Sequence, residues 1–491
     1  MSTTILFLVL VIFFALVFAI SHFTSKNVNN ETFFTGNRKS RWYMVAFAMI
    51  GTTISGVTFI SVPGEVGNSG WTYLQFLLGN FVGYWVIALV LIPLYYKLNL
   101  VSIYTYLKER FGVHSYKTGS FFFLVSRTIG ASFRMYLVVG VLQIAFFNAL
   151  GIPFAVTVAI AIFMIWAYTF RAGIKTVIWT DSLQTTFLLT SVVLTTILIS
   201  RQLDMNLGQM IKAIDEHPFS RMFDWDWRSK TNFFKQVMAG LGIVIVMNGL
   251  DQDMMQKSLT CRNQKEAQKN IYWFSLAFIL TNLLFLSLGV MLYIYAQMKG
   301  IHFTGKSDEF FPFLALNYFG TIAGVLFLLG IVSATYSSSD SALTALTTSF
   351  SIDFLNLDPT HPKSKSTRMK VHIGFSVLMF LVIVLFRIIN NESVVTAVFR
   401  VAGYTYGPLL GLFAFGILTK RMIYDQYVPY LGLLSPVITY IINANSERWL
   451  AGYKFGFELL LLNGMIMFVG LLLLTKNRNA DLADPADKSG L

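Results

Sequence analysis

The sequence predicts an all-α polytopic membrane protein with about 13 transmembrane helices. Three observations predict it. Apolar side chains make up 55% of the 491 residues and charged ones only 12%, against about 25% charged in a soluble domain. The apolar residues fall in runs of about 20, the length a helix needs to cross a bilayer. Short polar connections rich in Lys and Arg separate the runs, and the formal net charge is +13. A single transmembrane domain is expected over 1–475, with a short disordered tail over 476–491. The lone Cys261 excludes an internal disulfide. No glycine-rich phosphate loop, zinc-type His pair or nucleophile–base pair is present, which speaks against an enzyme. Contact with anionic lipid accounts for the positive charge without nucleic acid.

The first span, 3–22, lacks a charged n-region and a small-x-small cleavage site. It is therefore read as a retained helix and not a signal peptide. The second, 42–64, contains AMIGTTISGVTFISVPG at 48–64, where Gly51, Gly56, Pro63 and Gly64 weaken the helix. An unwound segment there would free carbonyls to coordinate a cation at mid-membrane depth. Tight packing through small residues explains the same composition. The third span is 71–95. The fourth, 117–148, carries Arg127 and Arg134, seven apart on one face. Each suits either an anionic solute, held bidentately, or an internal ion pair with Asp181 or Asp340. Spans five and six cover 153–170 and 177–200. Asp181 lies in the first turns of the sixth, within AGIKTVIWTDSLQ. A membrane carboxylate is a functional-site hypothesis, unless it pairs with an Arg or sits near the inner headgroups.

The longest outer loop, 201–231, contains FDWDWRSK and is placed to cap an entrance. The seventh span, 232–250, runs into LDQDMMQKSLTCRNQKEAQKN, read mostly as a solvated loop helix whose charges need no function. Asn248 and Asp251 would reach a cavity only if the helix breaks there. After the eighth span, 270–298, the ninth region, 314–350, is too long for one crossing, so an extracellular helix is expected at its start. Its end, IVSATYSSSDSALTALTTSF, is unusually polar for a membrane helix. Ala334, Ser337, Ser338 and Ser341 recur there at helical spacing and share a face. A row of hydroxyls with one carboxylate can hold a small hard cation such as Na⁺. The last spans are 370–388, 393–418, 427–444 and 456–475, with Arg387 and Arg400 snorkelling at an outer connection.

Orientation follows from Lys and Arg. The odd-numbered connections and the tail, with Lys117 and Lys370 at the adjoining span ends, hold 23 of the 37 basic residues and the even-numbered connections 9. That places the N-terminus outside and the C-terminus in the cytoplasm.

Six motifs in order, FFTGNRKSRWY, SGVTFISVPG, YTYLKERFG, AGIKTVIWTDSLQ, DQDMMQKSLTCRNQKEAQK and the Ser-rich helix ending in SID at 351–353, give the chain its family likeness. It resembles the sodium/solute symporter family over nearly its whole length. The resemblance implies a LeuT-like core of two inverted five-helix repeats, about 42–418, with one extra N-terminal and two extra C-terminal helices. It implies a common sodium site at Gly51, Ile54, Ala334, Ser337 and Ser338, with carbonyls from the first three and hydroxyls from the serines. A second cation site, known in some members, would fall on Asp181, Ser337, Asp340 and Ser341. Position 340 is usually a small hydroxyl residue, and here two carboxylates would hold a second Na⁺ or share a proton, unless Asp340 pairs with Arg127 or Arg134. The substrate cavity would involve Thr53, Ser55, Thr58, Tyr73, Gln75, Arg134, Asn248 and Asp251. The hydroxyls and amides suit a sugar, Arg134 a carboxylated one, and Asp251 a hydroxyl donor or a cation. The implied function is a Na⁺-coupled symporter of the cell inner membrane, using one or two Na⁺ per cycle. It would import a sugar, sialic acid or other carboxylated solute by alternating access. A non-transporting nutrient sensor on the same fold is the alternative. The solute and the lipid bilayer are the expected partners, with no protein partner required.

Overall fold

The computed structural model describes residues 3–24, 30–169, 173–357, 364–389 and 394–476. The predicted disordered tail beyond Lys476 lies outside the described residues. Among the described residues all regular structure is helical. Eight helices among the described residues are long and apolar enough to cross a membrane, or ten if each of two bent pairs is one span. Three shorter apolar helices, Trp42–Thr53, Phe154–Thr169 and Leu459–Leu473, fall within further predicted spans.

The functional elements are few. Helix α1 (Thr3–Thr24) lies on the outside of the bundle. Helices α2 (Trp42–Thr53) and α3 (Gly56–Ser69) are the two halves of the predicted second span. At Gly70 the chain turns with φ +61, a conformation glycine adopts without strain. Helix α4 (Tyr73–Val86) then returns across the bundle. Helix α5 (Val113–Leu142) carries Arg127 and Arg134, and α6 (Phe154–Thr169) follows it. Helix α7 (Gly173–Gln202) packs along α12 (Gly320–Ser349), and both pack on α2.

Two spans are broken. In the first, Ile54 leaves the helix (φ −81, ψ 79) and Ser55 is extended (φ −76, ψ 175). The cause lies in the local sequence: Gly51, Ser55 and Gly56 are poor helix formers, and the hydroxyls compete for backbone groups. In the second, α8 (Phe233–Val244) continues through a wide turn to Gly249, and α9 (Gln252–Ser258) departs at 68°. Asp251 caps α9, accepting the Asp253 N–H at 2.9 Å. The predicted ninth region also divides. After α10 (Gln264–Met298), a separate helix, α11 (Ser307–Asn317), precedes α12, and Gly320 turns between them at φ +81.

One expectation is overturned here. The segment after the seventh span is no solvated loop helix: every residue from Asp251 to Cys261 is buried. The bend folds α9 back into the bundle, so its Asp253 and Lys257 need partners inside the protein.

Candidate functional site

The break in the second span sets the geometry. A Cβ built on Gly51 would lie 3.2 Å from Ser337 Oγ and would collide with Thr185 Oγ1. Glycine at 51 therefore lets α2 approach α7 and α12 closely. The resemblance placed its common sodium site across this contact, and the contact brings Gly51 and Ser337 together. Gly51, Ile54, Ala334, Ser337 and Ser338 are all buried. Ser338 Oγ donates to the Thr335 carbonyl at 3.0 Å, and Ser337 Oγ donates to Asp181 Oδ1 at 2.8 Å. Each hydroxyl thus spends its proton on an acceptor and keeps lone pairs for a cation. The donor set is oxygen only, which fits a hard ion. Among the described residues no group of three His, Cys, Asp or Glu side chains could hold another metal.

The residues of the expected second cation site are only partly brought together. Asp181 Oδ2 accepts from Ser341 at 3.3 Å and from Thr52 at 3.0 Å. Asp340 turns towards Tyr168, whose hydroxyl donates to it at 2.9 Å. The partner of Asp181 is Lys257, with Nζ 2.6 Å from Oδ2 and both side chains fully buried. Lys257 Nζ also bonds Thr52 Oγ1. Neither Arg127 nor Arg134 pairs with Asp181 or Asp340, contrary to that alternative. Arg127 is instead bound to Asp253 and stands 3.9 Å from Asp251. Helix α9 presents those two carboxylates to α5 because of the bend at Leu250.

Beside the break lies a cavity with about 80 Å³ of space reachable by water. Thr53, Ser55, Thr58, Tyr73, Asn248 and Arg134 line it. Two residues expected there do not. Gln75 is used elsewhere: its amide donates to Thr231 O at 2.9 Å and accepts the Asp224 N–H at 3.2 Å. It thereby pins the outer loop to the start of α4. Burial pushes the Asp224 carboxyl up, but hydrogen bonds from Ser229, Thr231 and the Asp226 N–H outweigh it and hold it below the usual range. Asp251 is held by the Tyr406 hydroxyl at 2.7 Å and by its capping role, outside the cavity wall.

The cavity has features that residue types alone did not reveal. Asn80 Oδ1, Tyr84 OH and Arg127 Nε are buried with no partner among the described residues, and all three residues line it. Buried polar groups of this kind require water or a polar solute. Arg134 forms no hydrogen bond or ion pair among the described residues, and it sits in the same wall. Asn80 and Tyr84 recur four apart on α4, a helical-face signal the sequence does contain. Phe76 and Phe399, 5.6 Å apart, complete the lining on another side.

A model of the Sodium:solute symporter family matches residues 33–425. Among relatives, the chain is 26% identical to the sodium/sialic acid symporter NanT of Aliivibrio fischeri, over 85% of this chain and 83% of that protein. It is 24% identical to the sodium/sialic acid symporter SiaT of Proteus mirabilis, over 82% of each. Among solved structures, it is similar to a substrate-bound, outward-open Na⁺-coupled sialic acid symporter, with TM-score 0.81 and 21% identity. That likeness covers 96% of this chain and 99% of the other. The shared fold is LeuT-like.

Proposed function

We propose a function from one premise: this chain belongs to the sodium:solute symporter family. On this reading it is a multi-pass membrane protein that couples Na⁺ entry to the import of a small carboxylated solute. It works by alternating access and not as an enzyme. One observation carries the reading. A cavity with an uncommitted guanidinium, Arg134, adjoins the unwound end of α2, and that same end meets the hydroxyl row of α12 at Gly51. Relatives named for sialic acid transport support a carboxylated sugar as the solute.

The chemistry follows from the residues. Carbonyls of Gly51, Ile54 and Ala334 and hydroxyls of Ser337 and Ser338 would bind Na⁺ without a formal charge. Such binding is weak enough for release inside. An ion there links α2 to α12, stabilises the break in α2 and so orders the cavity wall formed by Thr53 and Ser55. The solute carboxylate would meet Arg134. Its hydroxyls would satisfy Asn80, Tyr84, Thr58 and Asn248. Arg127 and Arg134 balance Asp251 and Asp253, so one Na⁺ and one carboxylate together add no net charge. Each Na⁺ entering across 100 mV supplies about 2.3 kcal/mol from the potential alone. We assign the termini as the basic residues suggest, N outside and C inside an inner membrane, with 42–418 as the inverted-repeat core.

Reconstituted into liposomes, the full chain should accumulate radiolabelled sialic acid or a smaller carboxylate only under an inward Na⁺ gradient. Collapse of that gradient by an ionophore should stop it. Binding without accumulation would favour the sensor alternative. Ser338→Ala removes one oxygen ligand and should raise the half-saturating Na⁺ concentration by roughly 10-fold or more. An unchanged Na⁺ dependence of uptake would refute the assignment of Ser338.

A further inference from the structure

The position that the resemblance offers to a second cation already holds one. Asp181 Oδ2 is shared by the Lys257 ammonium at 2.6 Å, Thr52 Oγ1 at 3.0 Å and Ser341 Oγ at 3.3 Å. Ser337 Oγ binds the other carboxylate oxygen at 2.8 Å. Asp181, Ser337 and Ser341 belong to the set a second Na⁺ would use, and the NH₃⁺ group takes Asp181 Oδ2 from that set. Lys257 itself is fully buried, and both hydrogen-bond partners of its ammonium, Asp181 and Thr52, belong to this cluster. Ammonium and Na⁺ cannot share the site, because both need Asp181 Oδ2 and would repel at short range in a dry interior.

We infer that the Lys257 ammonium is a tethered occupant of the second cation position, so this chain binds one Na⁺ and not two. The inference rests on the sodium-coupled reading above. Connectivity supports it. Lys257 on α9 binds Thr52 on α2 and Asp181 on α7, and Ser341 on α12 binds the same Asp181, so the cluster ties both broken spans to the two helices they pack against.

Equilibrium binding of radioactive Na⁺ to the purified full chain tests this without knowing the solute. The wild type should bind one Na⁺ per chain. Lys257→Ala, which leaves Asp181 with its three hydroxyls, should bind two. Lys257→Arg, which keeps the tethered charge, should bind one. Two Na⁺ bound by the wild type would overturn the inference, and that measurement needs no variant to fold. One Na⁺ bound by a folded Lys257→Ala would also overturn it. Binding of no Na⁺ by the wild type would instead sink the sodium-coupled reading on which the inference stands.

Discussion

Arg134→Ala is expected to abolish Na⁺-driven uptake of carboxylated solutes while leaving the protein folded. Arg134 lines the cavity and has no hydrogen bond or ion pair among the described residues. Its removal therefore strands no buried carboxylate. A guanidinium meets a carboxylate through two parallel charge-assisted bonds. Truncating one partner of such a desolvated pair costs about 2–5 kcal/mol, so KM should rise by roughly 30-fold to several thousand-fold. Lys at this position keeps the charge but loses the planar fork, and should recover only a small part. The discriminating measurement is competition. In the wild type a free acid should outcompete its methyl ester, and in Arg134→Ala the two should compete equally. If the wild type already treats acid and ester alike, Arg134 does not read a carboxylate. Na⁺ binding should survive in the variant, because the oxygens around Gly51 and Ser337 lie on other elements.

The parts of this site that the sequence makes legible are those written in local composition. Gly51, Ser55 and Gly56 weaken one stretch of an apolar run, and the helix breaks there. The row from Ser333 to Thr347 is too polar for lipid, and it is buried against protein. Hydroxyls and Asn248 near the breaks do line a cavity. What stayed hidden depends on the direction in which a chain leaves a break. The segment 250–261 has the composition of a solvated helix, and nothing in its residues states that a 68° bend folds it inward. Once inward, its charges must find mates, and the mates are far away in sequence: Arg127 for Asp253, and Asp181 for Lys257. Asp251 looked like a solute ligand for the same reason. A carboxylate beside a broken helix can face the cavity or cap the next helix, and here the Asp253 N–H and the Tyr406 hydroxyl take it.

The buried charges on α5 and α9 give the largest stability effect. Arg127 is almost fully buried, bound to Asp253 and close to Asp251, and both carboxylates are also inaccessible to water. Removing one member of a buried ion pair leaves the remainder uncompensated and costs about 3–5 kcal/mol. Arg127→Met keeps much of the side-chain volume but leaves two adjacent carboxylates with no cation bound to them among the described residues, only the Tyr406 hydroxyl and the Asp253 N–H donating to Asp251. It should therefore lower the melting temperature in detergent sharply and reduce recovery of monodisperse protein. The loss arises from the stranded charge and not from a lost contact, so it should be largely reversible. Asp253→Asn in the Arg127→Met background removes one negative charge and should recover much of the stability. The coupling measured by that double-mutant cycle should be large and favourable, as expected for groups in one network. Equal melting of Arg127→Met and wild type would show that these charges are not partners in the folded protein. Additive destabilisation by the two substitutions would show that Arg127 stabilises through packing, and α9 would then owe its inward bend to its apolar face alone.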